Sequence, residues 1–282
     1  MSLFLIAVLA ALAWNRRRFV VAVLIASIGA FAGLSYWLAQ ITTPFGLTTD
    51  PVLASGWAQA GVNALDESVK KLIDTLRETK QLENTLVIFT SDQGLAFGQH
   101  GFRGVKVAPY DANIRSPLIF SMPGRIAKGK VCTAPVAGVD LVPTMFQFAG
   151  IKLPWTMHGR DLSPLLKNPG ANWPYPAMLP ATGETFGSDT NKIPTGEKAF
   201  HQNVPWYVMI RERRYKYVRP LVTDLEELYD MEKDPDELDN LAVKQEHQPT
   251  LKRLRAALIV ELRRHNAGFV DNMPPIRETF PA

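Results

Sequence analysis

The segment Asn84-Thr-Leu-Val-Ile-Phe-Thr-Ser-Asp92, with Gln93-Gly94 directly after it, sets the architecture of this 282-residue chain. Its continuous run of β-branched and aromatic residues predicts a strand that is covered on both faces, as in a parallel sheet. The apolar spacing from Trp57 to about Lys80 predicts an amphipathic surface helix before that strand. The pattern indicates the α/β class, in which ligands bind at the carboxyl ends of the strands, where Asp92 stands.

The rest of the chain carries weaker patterns of the same kind. We expect a second buried strand at Ser116–Ser121 and a helix over residues 140–149, which Asp140 caps and Gly150 ends. Trp206–Ile210 and Tyr215–Arg219 are predicted to form a hairpin of two strands, and Pro249 to about His265 a final amphipathic helix. Residues 168–205 hold six prolines, which predicts a long irregular loop.

Four side chains near the predicted strand end are candidates for chemistry. Asp92 and Gln93 offer adjacent hard oxygen donors, which suit Ca²⁺, with Mg²⁺ as an alternative. His100 and Lys106 follow within fifteen residues of Asp92, and near a cation they can hold an anionic ester and handle a proton. The ordinary alternative for each is a turn residue or a solvated surface side chain, because Asp and Gly are common in turns.

Charge and cysteine content restrict the partners. Residues 1–49 contain three charged side chains, all arginines, which leaves 28 basic and 27 acidic side chains in the remainder. A nearly neutral body gives no electrostatic reason to expect nucleic acid. The single cysteine, Cys132, allows no internal disulfide.

The amino-terminal segment, residues 1–44, has a composition unlike the rest. Residues 19–39 are 21 consecutive uncharged, mostly apolar residues, enough for a helix across a hydrocarbon core of about 30 Å. Arg16, Arg17 and Arg18 precede this run and resemble part of a twin-arginine export signal. We therefore expect export or membrane anchoring and an extracytoplasmic, for example periplasmic, location; the alternative is a buried core helix. Residues 45–56 are predicted to be a linker.

Eight short motifs in this order make the chain similar to the carboxyl-terminal half of a sulfatase, in the alkaline phosphatase superfamily. They cover about residues 57–265 and are Asn84–Asp92 with Gln93-Gly94, Gly98–Gly101 with Lys106, Arg115–Ile119, Val139–Pro143, Gly159–Leu166, Arg214–Tyr217, Glu227–Asp230, and Asp234–Glu237 with Asn240–Ala242.

The resemblance implies a fold and a domain division. The fold would be a partial alkaline-phosphatase-like parallel or mixed sheet sandwiched by helices, with a small α+β carboxyl-terminal subdomain and an apolar amino-terminal helix. Residues 57–205 would form the partial catalytic domain and residues 206–282 the subdomain. In that subdomain, the family motifs around Tyr229-Asp230 and Asp234-Pro235 would serve folding.

The resemblance also implies roles for the four candidates. Asp92 would be a calcium ligand, with Gln93 at the neighbouring ligand position, and Lys106 would bind the sulfate ester. His100 would contact the substrate or orient the loop between the metal site and Lys106. The implied substrate is a sulfated small molecule or carbohydrate.

The nucleophile segment of the family is expected to be absent from this chain, and before the predicted helix there is only a linker and the export-like segment. Sulfatases use a formylglycine made from Cys or Ser in a C/S-x-P-x-R segment, whereas Cys132 lies in Cys-Thr-Ala-Pro-Val, with the proline one place late. We expect a sulfatase-family hydrolase domain that is inactive alone and lacks a partner half. The alternatives are a non-catalytic membrane-tethered remnant, and a membrane phosphoethanolamine or glycerol-phosphate transferase-like protein with a threonine nucleophile.

Overall fold

A computed structural model describes residues 20–25, 51–96, 98–102, 106–183 and 191–278, with the backbone alone for 20–25 and 51–61. The α-helices in these ranges are α1 (Pro51–Glu78), α2 (Asp111–Ile114), α3 (Leu141–Ala149), α4 (Ser163–Lys167) and α5 (Gln248–Arg264). The strands are β1 (Val20–Ile25), β2 (Thr85–Thr90), β3 (Leu118–Ser121), β4 (Ala177–Ala181), β5 (Phe200–His201), β6 (Val204–Pro205), β7 (Tyr207–Arg211), β8 (Tyr215–Pro220) and β9 (Glu227–Asp230).

The first sheet is mixed and has the order β1-β2-β3. Strand β1 runs parallel to β2, and β3 runs antiparallel to it. Leu86 and Ile88 of β2 are fully buried and pack with Met145, Phe146 and Phe148 of α3. The prediction of a central strand here is confirmed, because apolar partners lie along β2 and both its edges are paired.

Strand β1 corrects the expectation of an amino-terminal apolar helix. Residues 20–25 pair with all six residues of β2, from Val20 opposite Thr85 to Ile25 opposite Thr90. A β-branched run such as Val-Val-Ala-Val-Leu-Ile is a good strand former, and apolar composition alone does not separate a buried strand from a helix. Among the described residues, no helix has the length and hydropathy of a membrane span. The remainder of the predicted segment lies outside the described residues.

Three smaller expectations are also corrected. Helix α1 begins at Pro51, so the last six residues of the predicted linker are helical. Strand β3 is not buried on both faces, since its residues alternate in burial and Ile119 is 59% exposed. The long proline-rich segment contains β4, β5 and β6 within its described part.

The second sheet, called the carboxyl-terminal sheet below, is antiparallel with the order β4-β7-β8-β9, and because β4 precedes residue 206 the sheet crosses the predicted domain boundary. One face packs on α5, where Val208, Ile210 and Tyr217 of the sheet meet Leu254 and Leu258 of the helix. The alternation of side chains along each strand sends the neighbouring residues to the opposite face. The predicted hairpin and final helix are both confirmed.

The opposite face of this sheet packs on residues that lie between β2 and β3 of the first sheet. Tyr207, Met209 and Val218 contact an apolar group from the segment before and within α2, made up of Phe102, Val107, Ala108, Tyr110 and Ile114. This third apolar cluster joins the two sheets. It brings the loop after β2 against the carboxyl-terminal subdomain.

A buried lysine lies in the same interface. Lys216 of β8 is fully buried, and its Nζ lies 2.9 Å from Oδ1 of Asp111 and 2.5 Å from Oε1 of Glu237. The backbone N–H of Asp111 donates to Oε2 of Glu237 at 2.6 Å. Burial raises the pKa of Glu237 above the ordinary carboxyl value, and the Lys216 ammonium opposes that rise. The three side chains therefore connect α2 with β8 and the loop after β9.

A second polar contact links α5 to the segment before α4. Glu261 accepts two hydrogen bonds from Arg160, at 2.8 and 3.0 Å, and one from Arg264. The ring of His265 stacks on that of His158 with centroids 5.0 Å apart. Burial, with the charge of Arg264 next in effect, lowers the pKa of His265 to about 4.

The replacement Lys216→Met is expected to lower the free energy of unfolding by about 3–5 kcal/mol, because it leaves two carboxylates near each other in a dry interface. Urea unfolding of the full chain measures this. Lys244→Met is the matched control: that lysine pairs with Asp239 at 2.5 Å, but both side chains are substantially exposed, so the loss should be under about 1 kcal/mol. Equal losses in the two variants would contradict the assigned importance of the buried pair.

The His265 pKa predicts a pH dependence of stability. The ordinary histidine pKa is about 6.5, so the unfolded chain takes up a proton between about pH 6.5 and 4 that the folded chain excludes. The stability that comes from keeping the His265 ring uncharged is complete above about pH 6.5. It is lost, by on the order of 2 kcal/mol, as the pH falls from about 6.5 to 4. His265→Gln should flatten the unfolding free energy between pH 7 and pH 4, and an unchanged pH dependence in this variant would contradict the assigned role of His265.

Candidate functional site

The loop after β2 presents Asp92 and Gln93 at the end of the strand, as the sequence predicted. Asp92 is exposed, and its Oδ1 accepts a hydrogen bond from the backbone N–H of Gln93 at 3.0 Å. The Ser91 hydroxyl donates to the Gln93 carbonyl at 3.0 Å. These short-range hydrogen bonds hold the loop in one conformation, with both side chains at the end of β2.

Gly94 anchors this loop against α2. Its N–H donates to the carbonyl of Asn113 at 2.7 Å, and a Cβ on Gly94 would lie 2.4 Å from the carbonyl oxygen of Ala112. No side chain fits in that space, so a glycine is required for the close passage of two backbone segments. The metal-ligand candidates are thereby fixed relative to the helix that carries Asp111.

Three of the four candidate side chains line one open cleft of about 230 Å³. Asp92 and Gln93 enter from the β2 loop, and partly buried Lys106 enters from the segment before α2. The rest of the lining comes from the interface with the carboxyl-terminal sheet: Val107, Asn113, Ile114, Leu179, Ala181, Trp206 and Tyr207. The three candidate residues thus border one common space together with several apolar residues.

His100 is not among the residues that line this cleft. Its backbone has φ 52°, its Nε2 lies 2.9 Å from the carbonyl oxygen of Asp236, and its ring stacks on Tyr110 with centroids 3.7 Å apart. A ring held on both sides in this way orients the loop against the carboxyl-terminal subdomain. The geometry supports the second of the two roles expected for His100 and gives no contact for the first.

The residues of the cleft do not by themselves fit a calcium ion. Ca²⁺ takes about six to eight oxygen ligands, and Asp92 and Gln93 offer one carboxylate and one amide oxygen. Across the described ranges, no group of three or more His, Cys, Asp or Glu side chains is arranged to hold a metal.

The expectation that the chain has no C/S-x-P-x-R segment is wrong, because one stretch has these letters, although it lies away from the cleft. Ser121-Met-Pro-Gly-Arg125 reads S-x-P-x-R, and Ser121 is exposed at the last position of β3. In the antiparallel register Ser121 lies opposite Val87, whereas Leu118 lies opposite Thr90 at the cleft end. Three strand positions correspond to about 10 Å, so Ser121 is at the wrong end of the strand pair to be the nucleophile of this cleft.

The apolar residues that line the cleft were missed from the sequence. The sequence pattern predicts a hairpin strand at Trp206 and Tyr207 and an irregular segment around Leu179. Burial raises the pKa of the Tyr207 hydroxyl above the ordinary tyrosine value, which keeps it neutral at any physiological pH. In the sequence, Trp206 stands directly before a strand, but this position does not show which face of the sheet its side chain contacts.

The comparisons with known proteins agree on one family. The sequence model of the Sulfatase family matches residues 59–151. The N-acetylglucosamine-6-O-sulfatase of Bacteroides thetaiotaomicron is 31% identical over 225 residues, which is 78% of this chain and 37% of that protein. The choline-sulfatase of Rhizobium meliloti is 35% identical over 187 residues, 65% of this chain and 32% of that protein.

A solved structure supports the same relationship. It is an enzyme in complex with its substrate D-glucosamine-2-N,6-O-disulfate, and it superposes with a TM-score of 0.63 and 28% identity. The match covers 81% of this chain and 46% of the other. The chain therefore spans less than half the length of each of these three proteins.

The close passage at Gly94 predicts that Gly94→Ala lowers the free energy of unfolding by about 1–3 kcal/mol, because the added methyl group must push the Ala112 carbonyl away. Thermal or urea unfolding of the full chain measures this loss. Gly138→Ala is the control, since a Cβ there meets no atom within 4 Å. A stability of Gly94→Ala equal to that of Gly138→Ala would contradict the proposed packing of the loop on α2.

Proposed function

Because this chain belongs to the sulfatase family of the alkaline phosphatase superfamily, we propose that its cleft binds the sulfate group of a sulfate ester. The observation that carries this proposal is the common cleft of Asp92, Gln93 and Lys106. The family membership supports a hydrolase of sulfate esters as the ancestral activity. The activity of the chain itself is a separate part of the proposal.

Lys106 is the proposed sulfate ligand. An ammonium group that is partly withdrawn from water interacts more strongly with an anion than a fully solvated one does, since the local dielectric constant is lower. The compact charge also suits a tetrahedral oxyanion, whose oxygens can be approached from several directions. Lys106 would offset negative charge on the bound ester, as such groups do on a reacting centre.

Asp92 and Gln93 are proposed as two ligands of a calcium site, with magnesium as the alternative. Both supply oxygen atoms, the donors that these cations prefer. Two donors fall short of a full coordination shell, so the remaining ligands would come from outside the described residues. Calcium is accordingly expected to bind this chain weakly, and no catalytic step is assigned to it.

Turnover by this chain alone is not expected. The proposed cleft has no residue with the role of the formylglycine nucleophile, since Cys132 does not match the required motif and Ser121 lies at the far end of β3. This observation also favours a second candidate function, a non-catalytic module that binds sulfate esters without hydrolysing them. No comparable observation favours a transferase.

The substrate and location are proposed only in broad terms. The similar proteins named above act on sulfated sugars or choline sulfate by name, so a sulfated carbohydrate or small molecule is the proposed ligand. Export is proposed from Arg16–Arg18 alone, since the apolar residues 20–25 that follow them form β1 of the first sheet.

The test is the binding of inorganic sulfate to the full chain, measured by calorimetry or NMR titration. Lys106→Ala is expected to weaken binding by at least about tenfold, which corresponds to the loss of one charge-assisted contact. The control Lys128→Ala removes an exposed lysine outside the cleft and should leave the dissociation constant unchanged.

The same preparation tests the second part of the proposal. Incubation with 4-nitrophenyl sulfate and calcium should release no sulfate above the uncatalysed rate. Calcium-dependent release would overturn the expectation of inactivity, and equal sulfate affinity of the Lys106→Ala and Lys128→Ala variants would overturn the proposed binding site.

A further inference from the structure

Lys106 lies in an irregular part of the chain. It stands between His100 and Asp111 in the sequence, and residues 106–110 are in neither a helix nor a strand. A lysine side chain is long and flexible, so the place of its ammonium group depends on how firmly its backbone is held. Irregular residues have no ladder of backbone hydrogen bonds to hold them. The contacts on either side of Lys106 must therefore do so.

Two consecutive residues in the loop after β9 contact the chain on both sides of the lysine. The carbonyl oxygen of Asp236 lies 2.9 Å from Nε2 of His100. Oε2 of Glu237 accepts the backbone N–H of Asp111 at 2.6 Å, and its Oε1 lies 2.5 Å from Nζ of Lys216. One dipeptide, Asp236-Glu237, thus holds the chain before and after the sulfate-ligand candidate.

The dipeptide is itself held in a fixed and strained turn. The two carboxylate oxygens of Asp234 accept the backbone N–H groups of Leu238 and Asp239, at 3.0 and 2.8 Å. Glu237 has φ 59° and His100 has φ 52°, in the left-handed region that residues with a Cβ rarely adopt. Backbone strain of this kind persists where surrounding contacts enforce it, and it is concentrated at functional sites. Two such residues beside one contact favour a positioning role over an ordinary surface turn.

Burial in this loop is the reverse of what packing alone would favour. Glu237 is 2% exposed, whereas its neighbour Leu238 is 75% exposed. A charged side chain is seldom buried unless it is paired, and an apolar one normally gains by leaving water. The contacts of Glu237 with Asp111 and Lys216 therefore determine the conformation of the loop, and the apolar side chain next to it stays in solvent.

We propose that Glu237, together with the backbone carbonyl of Asp236, positions Lys106 for the binding of a sulfate group. The inference rests on the proposed function, because it takes Lys106 as the sulfate ligand. Neither residue of the dipeptide lines the cleft, so Glu237 is a positioning residue that acts through the chain on both sides of the lysine. Without it, the lysine must be ordered when the ligand binds, and the entropy cost of that ordering lowers the affinity.

The test is a double-mutant cycle on the full chain, with inorganic sulfate as the probe and calorimetry or NMR titration as the measurement. Glu237→Ala should raise the dissociation constant about fivefold when Lys106 is present, and should leave it unchanged in the Lys106→Ala background, because the two residues act through one contact. Glu237→Gln keeps an acceptor for the N–H of Asp111 and should restore most of the affinity. Glu232→Ala removes an exposed carboxylate from the same loop and is the matched control without effect.

Hydrogen exchange followed by mass spectrometry gives a second readout that needs no ligand. In Glu237→Ala, peptides covering residues 106–114 should exchange at least about tenfold faster, whereas those of α5 should be unchanged. If this variant does not fold, Asp111→Pro and Asp111→Ala replace it. Proline is accepted at the first helical position but has no N–H, so the pair isolates the hydrogen bond to Glu237. Asp111→Pro should then bind sulfate more weakly than Asp111→Ala and show the faster exchange.

The outcomes distinguish this proposal from the previous one. Equal sulfate affinity of Glu237→Ala and Glu232→Ala, or the same loss with and without Lys106, would overturn the positioning role. Faster exchange throughout the carboxyl-terminal sheet and α5 would also overturn it, since that result indicates a general loss of stability. If the unmodified chain does not bind sulfate but Glu237→Ala speeds exchange only around residues 106–114, the contact made by the dipeptide stands and the sulfate site fails.

Discussion

The buried ammonium of Lys216 is the contact on which the arrangement of the cleft depends. It lies between Asp111 and Glu237, with no exposure of its side chain, and it connects the helix beside the β2 loop to the carboxyl-terminal sheet. Charges in such a place are costly to bury and are tolerated only when paired. The interface therefore has one favourable register, in which both carboxylates meet the lysine, and any other register leaves charge unpaired.

This arrangement of the interface determines which residues line the cleft. Phe102, Val107 and Ile114 pack in one cluster with Tyr207, Met209 and Val218, so Lys106 is brought to the same space as the apolar residues of the sheet. Gly94 fixes the β2 loop to the segment between Phe102 and Ile114 through Asn113. Polar and apolar residues of the cleft thus come from one connecting segment, which is fixed by both contacts.

The sequence predicted the parts of the molecule that local patterns control. The β2 run, the hairpin and α5 follow from periodicity and composition. Asp92, Gln93 and Lys106 line one cleft, while their roles as ligands stay predictions. Contacts between distant segments were not predictable in the same way. Lys216 lies in an aromatic strand run that shows no partner, and the letters of Ser121–Arg125 give no indication of which end of β3 they occupy.

The amino-terminal run shows why composition alone was insufficient. Val20–Ile25 belongs to the apolar run 19–39 that is long enough for a membrane span, yet it forms six pairs with β2, whose other edge is covered by β3. An unpaired edge on a central strand leaves backbone groups unsatisfied and invites association, so a β-branched run nearby gains by pairing there. The six residues cannot form this strand and lie in a bilayer as a helix at the same time. Pairing with β2 and membrane insertion are therefore competing uses of the same segment, and completion of the first sheet requires that pairing prevail.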